Sequence, residues 1–420
     1  MTRIDSSTPL LPRPTSSPNK AARRRYLVRA LSRCLFVIIS SVALLAMVVC
    51  VVLQESSSRD TWIRHPGAIY NASGQPDRMI IANSHNDEMQ GSNALQLALS
   101  LGYGFIEIDT YLGKNPDVVA PSTSQSAFTF DSANPGKGND NKITLDMGSG
   151  SESGLGLGSG LDPSFALLAG HDLKDLKSQR TLKKYYFDPL LNILDKRNVN
   201  RTSGSNDTGW KGIYENDSDK KVTILIDMKR DGDLIWSYLL ELLHPFISKG
   251  YLTTYNVSSS QWSHGPLNVV GTGLTPLSKV YHSPIRYIFY DAPLTKLNAP
   301  FDIPDSIDGP AVRNVQWDNT ISPTASSKLP LRYIVSSFFS LGRSNEGKGM
   351  CKLKELHSIA REKGIQSRWW GYPNRPNWLK VRIWNLLWES GQDILNTDYL
   401  VQSKIWLDDR ANKTRNLERC

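Results

Sequence analysis

Cysteine is scarce in this 420-residue chain, which contains only four. Cys34 and Cys50 lie in or beside an apolar N-terminal run, so Cys351 and Cys420 alone remain for the rest of the chain. Two cysteines form at most one disulfide, whereas a disulfide-stabilised domain needs several bridges and a structural zinc site needs several Cys or His ligands. The sequence therefore excludes a disulfide framework and a cysteine-based zinc site.

Net positive charge is small over most of the chain, although the formal net charge of the whole is +9. Residues 1–33 carry eight Lys or Arg and one Asp, so seven of the nine net charges lie there. A nucleic-acid-binding domain carries a basic patch or stripe on its folded part. The nearly neutral remainder therefore argues against a nucleic-acid partner.

A glycine-rich dinucleotide fingerprint is also missing after the first strand-like run, since residues 84–91 read Ser-His-Asn-Asp-Glu-Met-Gln-Gly. This absence argues against a doubly wound Rossmann sheet. Strand-like and helix-like runs nevertheless alternate along the chain, which indicates a parallel sheet. We predict strands at 79–82, 105–109, 165–169, 222–229, 268–271, 285–291, 365–370 and 393–398, and helices at 93–101, 233–243, 352–363 and 377–389. Seven or eight such strands favour an α/β fold, a closed (β/α)8 TIM-barrel-like body.

One long apolar run, residues 35–53, contains no charge, Pro or Gly. Its length nearly matches the hydrocarbon thickness of a bilayer, so we predict a transmembrane helix at 34–54. The basic residues before it predict a cytosolic N-terminus and a lumenal or extracellular body. A cleaved signal peptide is the alternative, but the run exceeds a usual signal core and no small-x-small cleavage site follows. Six Asn-x-Ser/Thr sequons after the run are compatible with a glycoprotein.

Composition divides the chain further. We predict a disordered basic tail at 1–33, a linker at 55–77, a barrel domain at 78–408 and a C-terminal tail at 409–420. Residues 120–161, which include the Gly/Ser-rich stretch 148–160, and residues 197–220 are predicted to be low-complexity surface insertions, because they lack the apolar periodicity of packed elements.

Residues suited to acid/base chemistry or metal binding follow the first two strand-like runs. His85 ends the first run, and Glu107 and Asp109 lie two apart in the second. Residues two apart on a strand project from the same face, so the two carboxylates can bind one cation. The C-terminal ends of barrel strands meet at one mouth, where barrel enzymes place their chemistry. The pattern is typical of a hydrolase.

Two later runs end in similar residues. Asp227 and Lys229 share one face of the run at 222–229, where the alternative to a functional pair is an ion pair within the sheet. His171 follows the run at 165–169 and is a second candidate catalyst, although a single His there is also typical of a loop or core position.

These motifs together resemble the phosphatidylinositol-phospholipase-C-like phosphodiesterase superfamily, which includes glycerophosphodiester phosphodiesterases and sphingomyelinase D. Within it, the chain resembles the altered inheritance of mitochondria protein 6 family from about residue 80 to about residue 399. The resemblance implies that His85 and His171 form an acid/base pair. It also implies that Glu107, Asp109 and Asp227 bind a divalent cation, Mg²⁺ or Ca²⁺.

Two further residues match positions of that superfamily. Asn86 matches a metal-binding Asn, and Lys229 matches a basic residue near the phosphate. The chain departs from the glycerophosphodiesterases, which carry His-Arg-Gly where this sequence has His85, Asn86 and Asp87. The phosphate-binding Arg of those enzymes is therefore missing.

The resemblance implies a membrane-anchored, metal-dependent phosphoric diester hydrolase that acts on a lipid or lipid-headgroup phosphodiester. Histidine suits both proton transfers, because its ordinary pKa lies near neutrality. The alternative from another class is a catalytically silent barrel that serves as a membrane-anchored binding or scaffold protein.

Overall fold

The computed structural model describes residues 79–118, 161–199, 209–338, 347–411, 413 and 415, all within one unit, Pro66–Cys420. The strands are β1 (Ile80–Ser84), β2 (Tyr103–Lys114), β3 (Phe165–Ala169), β4 (Val222–Met228), β5 (Thr254–Asn256), β6 (Gln261–Ser263), β7 (Leu267–Gly273), β8 (Ile285–Arg286), β9 (Phe289–Pro293), β10 (Phe301–Ile303), β11 (Val312–Val315), β12 (Thr324–Lys328), β13 (Gln366–Trp370) and β14 (Leu395–Thr397). The α-helices are α1 (Ala94–Ser100), α2 (Asp188–Arg197), α3 (Gly232–Ser248), α4 (Leu277–His282), α5 (Leu331–Phe338), α6 (Lys348–Glu362), α7 (Asn377–Glu389) and α8 (Leu400–Asp408).

Parallel strands form the centre of the molecule, in the spatial order β13, β12, β9, β7, β4, β2, β1 and β14. A parallel bridge between Arg368 in β13 and Ile394, just before β14, joins the two ends of this sheet. The chain therefore forms an α/β fold with a nearly closed barrel of parallel strands. Helices connect most successive barrel strands, as parallel connections require.

Side chains alternate between the inside and the outside of the barrel. One buried cluster comes from the neighbouring strands β2, β4, β7 and β9 and from the residue just before β14, and its members are Phe105, Leu225, Val270, Phe289 and Ile394. The residues between them, such as Ile106, Ile224 and Ile226, instead join the large core between the sheet and its helices. Strands buried on both faces produce the near-continuous apolar runs seen in the sequence.

The third predicted strand has the predicted bounds but a different place in the fold. β3 pairs antiparallel with the C-terminal half of β2, with Thr110 opposite Ala169 and Lys114 opposite Phe165. It is therefore a hairpin arm beside the barrel, and its predicted role as a parallel barrel strand is wrong. The missing barrel strand is β12, Thr-Ala-Ser-Ser-Lys, which has no apolar run to reveal it.

The predicted single-pass membrane topology is corrected by the structure. In the described part of the chain, no helix combines the length and the apolar character needed to cross a bilayer. The longest of these helices, α3, has 17 residues, and it carries Asp233, Glu241 and His244. The predicted span at 34–54 itself lies outside the described residues, as do the tail at 1–33, the linker at 55–77 and the stretch 148–160.

Part of the predicted insertion at 197–220 is described. Ile213 and Tyr214 within it are buried in the main core, and the Tyr214 hydroxyl donates a hydrogen bond to the carbonyl oxygen of Tyr103 on β2. This end of the segment packs against the barrel.

Candidate active site

His85 lies directly after β1, at the C-terminal mouth of the barrel. Its Nδ1 atom lies 2.7 Å from Oδ1 of Asp398, which follows β14, and its backbone amide donates to the carbonyl of Thr397 at 3.1 Å. Burial lowers the pKa of His85, but the hydrogen bond to Asp398 and the charge of Glu107 outweigh burial, so the net pKa is raised. The hydrogen bond through Nδ1 leaves Nε2 as the free ring nitrogen of this dyad.

The chain turns sharply immediately after His85. Asn86 adopts a left-handed backbone conformation with φ 46° and ψ 55°, which asparagine tolerates better than most residues. A short 3₁₀ helix, Asp87–Gln90, begins there and buries the first two acids, Asp87 and Glu88. Asn86 therefore lies at the mouth beside His85 and directs the next residues inward.

Asp109, at the barrel mouth on β2, lies at the centre of a cluster of ionisable side chains. Its buried Oδ2 atom accepts a hydrogen bond from Nδ1 of His171 at 2.7 Å and lies 3.0 Å from Nζ of Lys229. Lys229 Nζ also lies 2.5 Å from Oδ2 of Asp227. Burial raises the pKa of Asp109, Lys229 opposes that effect, and the Asp227 charge adds to it. The structure therefore brings together four of the residues that the sequence singled out.

The Asp227 carboxylate lies close to the backbone of the neighbouring strand β7. It lies opposite Asp109 on one side and opposite Thr272 in β7 on the other. Gly273 in β7 has φ +65°, and a Cβ atom there would lie 2.0 Å from Oδ1 of Asp227. A side chain at this position would displace the Asp227 carboxylate.

His171 reaches the site through the hairpin and not through a barrel strand. The amide of Gly170, at the end of β3, donates to the carbonyl of Asp109 at 3.0 Å, and the Tyr111 hydroxyl donates to the carbonyl of His171 at 3.3 Å. These two contacts hold the histidine against β2. Its position beside Asp109 is the one expected from the sequence, but the element that delivers it is different.

Glu107 lies deeper in the barrel and has a different environment from Asp109. Its carboxylate accepts hydrogen bonds from Arg368 at 2.5 Å and from Asn83 at 2.8 Å. Burial alone would raise the pKa of Glu107, but the Arg368 charge lowers it to about 2. The guanidinium of Arg368 also lies 3.4 Å from Asp291. The Glu107 carboxylate is therefore already bound to a buried cation of the protein.

Glu88 is a candidate metal ligand that the sequence reasoning missed. It is 2% exposed, and its Oε2 atom accepts a hydrogen bond from the amide of Asp109 at 3.2 Å. Burial and the neighbouring Asp109 charge raise its pKa to about 9. Glu88, Asp109 and His171 each offer one ligand atom, and these atoms lie within 4.8 Å of one another. Within the described part of the chain, neither Glu88 Oε1 nor Asp109 Oδ1 has a hydrogen-bond partner.

Two other site residues were also missed, and their sequence signals differ. Asp398 ends the last predicted strand run, so the rule that identified His85 would have identified it too. Glu88 follows His85 by three residues in the same mouth loop, which is a weaker signal. Arg368 lies inside a strand of Gln-Ser-Arg-Trp-Trp, and no local pattern predicts that it crosses the barrel to Glu107.

Two histidines, each paired with a carboxylate, lie next to a lysine at the mouth of a nearly closed parallel barrel. Comparison with known proteins assigns part of this barrel to a phosphodiesterase-type family. The family model described as the AIM6-like phosphodiesterase domain matches residues 163–291. No solved structure matches the chain.

Three curated relatives give the particular family. The altered inheritance of mitochondria protein 6 homolog of Arthroderma benhamiae is 31% identical over 233 residues, covering 55% of this chain and 68% of the relative. Altered inheritance of mitochondria protein 6 of Eremothecium gossypii is 29% identical, covering 56% of this chain and 58% of the relative. Altered inheritance of mitochondria protein 6 of Lachancea thermotolerans is 27% identical, covering 57% of this chain and 56% of the relative. The chain belongs to the altered inheritance of mitochondria protein 6 family, although it spans little more than half the length of the last two relatives.

Proposed function

We propose that this chain is a (β/α)8-type phosphoric diester hydrolase in which His85 and His171 are the acid/base pair. The observation that carries the proposal is that each histidine is held through Nδ1 by its own carboxylate, Asp398 for His85 and Asp109 for His171. A carboxylate that accepts from Nδ1 orients the ring and leaves Nε2 for the substrate. One histidine takes the proton of the attacking hydroxyl, and the other protonates the leaving oxygen.

Lys229 is the third working group of this proposal. Its ammonium lies between Asp109 and Asp227, and the hydrogen bonds and charges of those carboxylates raise its pKa despite the opposing effect of burial. It therefore stays cationic throughout the neutral pH range. A fixed cation at the mouth stabilises negative charge that develops on phosphoryl oxygens.

A divalent cation fits the acidic part of this site. Asp109 Oδ1 and Glu88 Oε1 are buried oxygens without hydrogen-bond partners among the described residues, and hard cations such as Mg²⁺ and Ca²⁺ prefer oxygen ligands. We propose that Asp109 and Glu88 hold the ion with help from Asp227. Glu107, expected from the sequence to be a ligand, is engaged by Arg368, and Asn86 lies in the adjoining turn. When bound, the ion supplies positive charge to the phosphoryl group.

A lipid-derived phosphodiester is the substrate class that we propose. Large apolar side chains are exposed on three segments that follow barrel strands: Met89 after β1, Leu274 after β7 and Trp370 at the end of β13. Exposed apolar groups around a polar mouth suit a substrate that combines a charged headgroup with an apolar part.

A catalytically silent barrel that only binds its ligand is the second candidate. Lys229 already pairs with Asp109 and Asp227, and Arg368 already pairs with Glu107. Such internal ion pairs allow the carboxylates to remain buried without a metal ion or a substrate. This observation favours a binding role and makes a direct activity test necessary.

The test uses the full chain with bis(4-nitrophenyl) phosphate in the presence of Mg²⁺ or Ca²⁺. We expect His85→Ala and His171→Ala each to lower kcat by about 10²–10⁴-fold. The double variant should lose little more than either single variant, because an acid and a base that act in one transition state fail together. His244→Ala on the exposed face of α3 is the matched control. Turnover that survives both substitutions refutes the proposed pair, and a chain without any turnover supports the silent barrel.

A further inference from the structure

Two residues at the C-terminal ends of neighbouring barrel strands lie side by side. Lys328 ends β12 and Trp370 ends β13, and they are register partners in the parallel ladder. The amide of Leu329 donates to the carbonyl of Trp370 at 2.9 Å, which fixes the two strand ends together. Neither residue has a role in the acid/base site described above.

The inner face of the barrel carries both side chains. Two residues earlier, Ser326 and Arg368 are also register partners, and Arg368 Nε donates to Ser326 Oγ at 2.7 Å. The Arg368 guanidinium reaches Glu107, so this layer faces the barrel interior. Side chains two residues apart on a strand share a face, so Lys328 and Trp370 face the mouth above it.

This pair lies across the mouth from the acid/base residues. In the ring of barrel strands, β12 is four places from β2, which carries Asp109, and β13 is four places from β4, which carries Asp227. One layer deeper, a single Arg368 side chain reaches from β13 to Glu107 on β2. A ligand of modest size can therefore contact both halves of the mouth at once.

Lys328 differs from Lys229 in having no counterion in the described part of the chain. It is exposed, and no hydrogen bond or ion pair to its ammonium group is found among the described residues, whereas Lys229 has two carboxylate partners. Its aliphatic stem lies against Gly371, where φ is +67° and an added Cβ would lie 3.0 Å from Lys328 Cγ. Trp370 beside it is 39% exposed. The cation is thus held at the mouth next to an accessible indole ring.

We propose that Lys328 and Trp370 form a subsite for a second anionic group, carried on the alcohol arm of the phosphodiester substrate. The inference rests on the proposed function and narrows its substrate class. A lysine without a counterion attracts a phosphonate, a phosphomonoester or a carboxylate, and repels a quaternary ammonium. The indole covers the carbon chain that links this group to the diester. The arm is therefore anionic and not choline-like.

The test uses four 4-nitrophenyl phosphodiesters that differ only in the second alcohol: ethanol, 3-hydroxypropionate, 2-hydroxyethylphosphonate and choline. We expect the full chain to show kcat/KM about tenfold higher for the two anionic arms than for the ethyl arm, as one charge-assisted contact provides. Lys328→Gln should remove this preference and leave the ethyl ester within about twofold. Lys328→Glu should turn the preference toward the choline arm. Lys296→Gln, which removes an exposed lysine after β9, is the matched control and should keep the wild-type preference.

The outcomes separate this inference from the proposed function. Hydrolysis of all four esters without a Lys328-dependent preference overturns the subsite and leaves the phosphodiesterase in place. The anionic substrate with the higher kcat/KM shows whether a phosphonate-like or a carboxylate group is recognised. If no ester is hydrolysed, the proposed function fails, and calorimetric titration with the intact phosphonate ester tests the subsite alone. About tenfold weaker binding to Lys328→Gln then supports the subsite, and equal binding refutes it.

Discussion

Nδ1 of His85, directly after the first barrel strand, lies 2.7 Å from Oδ1 of Asp398, directly after the last one. β1 and β14 are hydrogen-bonded neighbours in the sheet, with Ser84 opposite Thr397. His85 and Asp398 are 313 residues apart in the chain, so the dyad forms only when the first and last barrel strands pair. Pairing of the first and last barrel strands therefore also orients the proposed acid/base histidine.

Asp398→Asn should lower the pKa of His85. Burial lowers this pKa in the wild type, and the Asp398 hydrogen bond and the charges of Glu107 and Asp398 together raise it above its ordinary value. A raised folded-state pKa stabilises the fold fully below the unfolded pKa of about 6.5, and the contribution is lost as pH rises through the folded pKa. The stability gap between wild type and Asp398→Asn should therefore shrink with rising pH.

NMR titration of the His85 ring and denaturant unfolding at several pH values measure both effects. Asp408→Asn, an exposed acid on α8, is the control and should leave the His85 pKa unchanged. An unchanged His85 pKa in Asp398→Asn would show that the dyad does not set the protonation of this ring.

Glu107→Gln should destabilise the fold as well as affect activity. The Arg368 guanidinium would lose its closest carboxylate in the barrel interior, and a buried charge that loses its partner costs about 3–5 kcal/mol. Glu355→Gln on α6 removes an exposed acid paired with Lys352, so it should cost at most about 1 kcal/mol. Urea unfolding of both variants gives the comparison. Equal stability of Glu107→Gln and wild type would contradict the assigned pair.

His357 should make the fold less stable in mild acid. This histidine is fully buried, its Nε2 accepts from Trp369 Nε1 at 2.7 Å, and its Nδ1 donates to the carbonyl of Ser390 at 2.8 Å. Burial lowers its pKa to about 4. The unfolded chain binds the proton first as pH falls below about 6.5, so stability should fall by roughly 3 kcal/mol between pH 6.5 and 4.

Comparison of His357→Asn with wild type isolates this contribution. The variant loses the acceptor for Trp369, so it should be less stable at pH 7, but its stability should depend less steeply on pH between 6.5 and 4. His244→Gln, at an exposed position of α3, should keep the wild-type slope. An identical slope in all three proteins would mean that His357 does not remain neutral in the fold.

Glu88→Gln and Asp109→Asn should each abolish stabilisation by a divalent cation. Both acids have a buried oxygen without a hydrogen-bond partner among the residues that the structure describes, and an ion that binds only the folded state raises the melting temperature. We expect millimolar Ca²⁺ or Mg²⁺ to raise the Tm of the wild type, and a chelator to reverse the change. Asp172→Asn, an exposed acid next to His171, is the control and should respond like the wild type. A Tm that no cation changes would contradict the proposed metal site.

The barrel strands with apolar runs could be located from the sequence, and their mouth residues with them. β2 and β4 are buried along most of their length, so each contains a short apolar run, and Asp109 and Asp227 lie at the ends of these runs. Helix α7, Asn377–Glu389, has the bounds that its periodicity predicts. These features were predictable because the spacing of apolar residues within a strand or helix indicates which of its faces are buried.

The spacing of apolar residues did not reveal β12 or the pairing direction of β3. The inward residues of β12, Thr324 and Ser326, are polar because they donate to Asp291 on the neighbouring strand β9, so the strand carries no apolar signal. β3 has an apolar run like that of a barrel strand, but it pairs antiparallel with β2. The direction in which two strands pair depends on the path of the chain between them, and the periodicity of apolar residues does not specify that path.

The sequence by itself determined that His85, Asp109, Asp227 and Lys229 end or follow apolar strands, because alternation fixes which side chains share a face. Only the tertiary structure decided which of the acids meets which cation. Glu107 and Asp109 look equivalent two residues apart, yet Glu107 pairs with Arg368, 261 residues away, and Asp109 binds His171 and Lys229. A buried carboxylate takes its charge state and its role from the groups that folding brings within a few ångströms, and those contacts are not local in the chain.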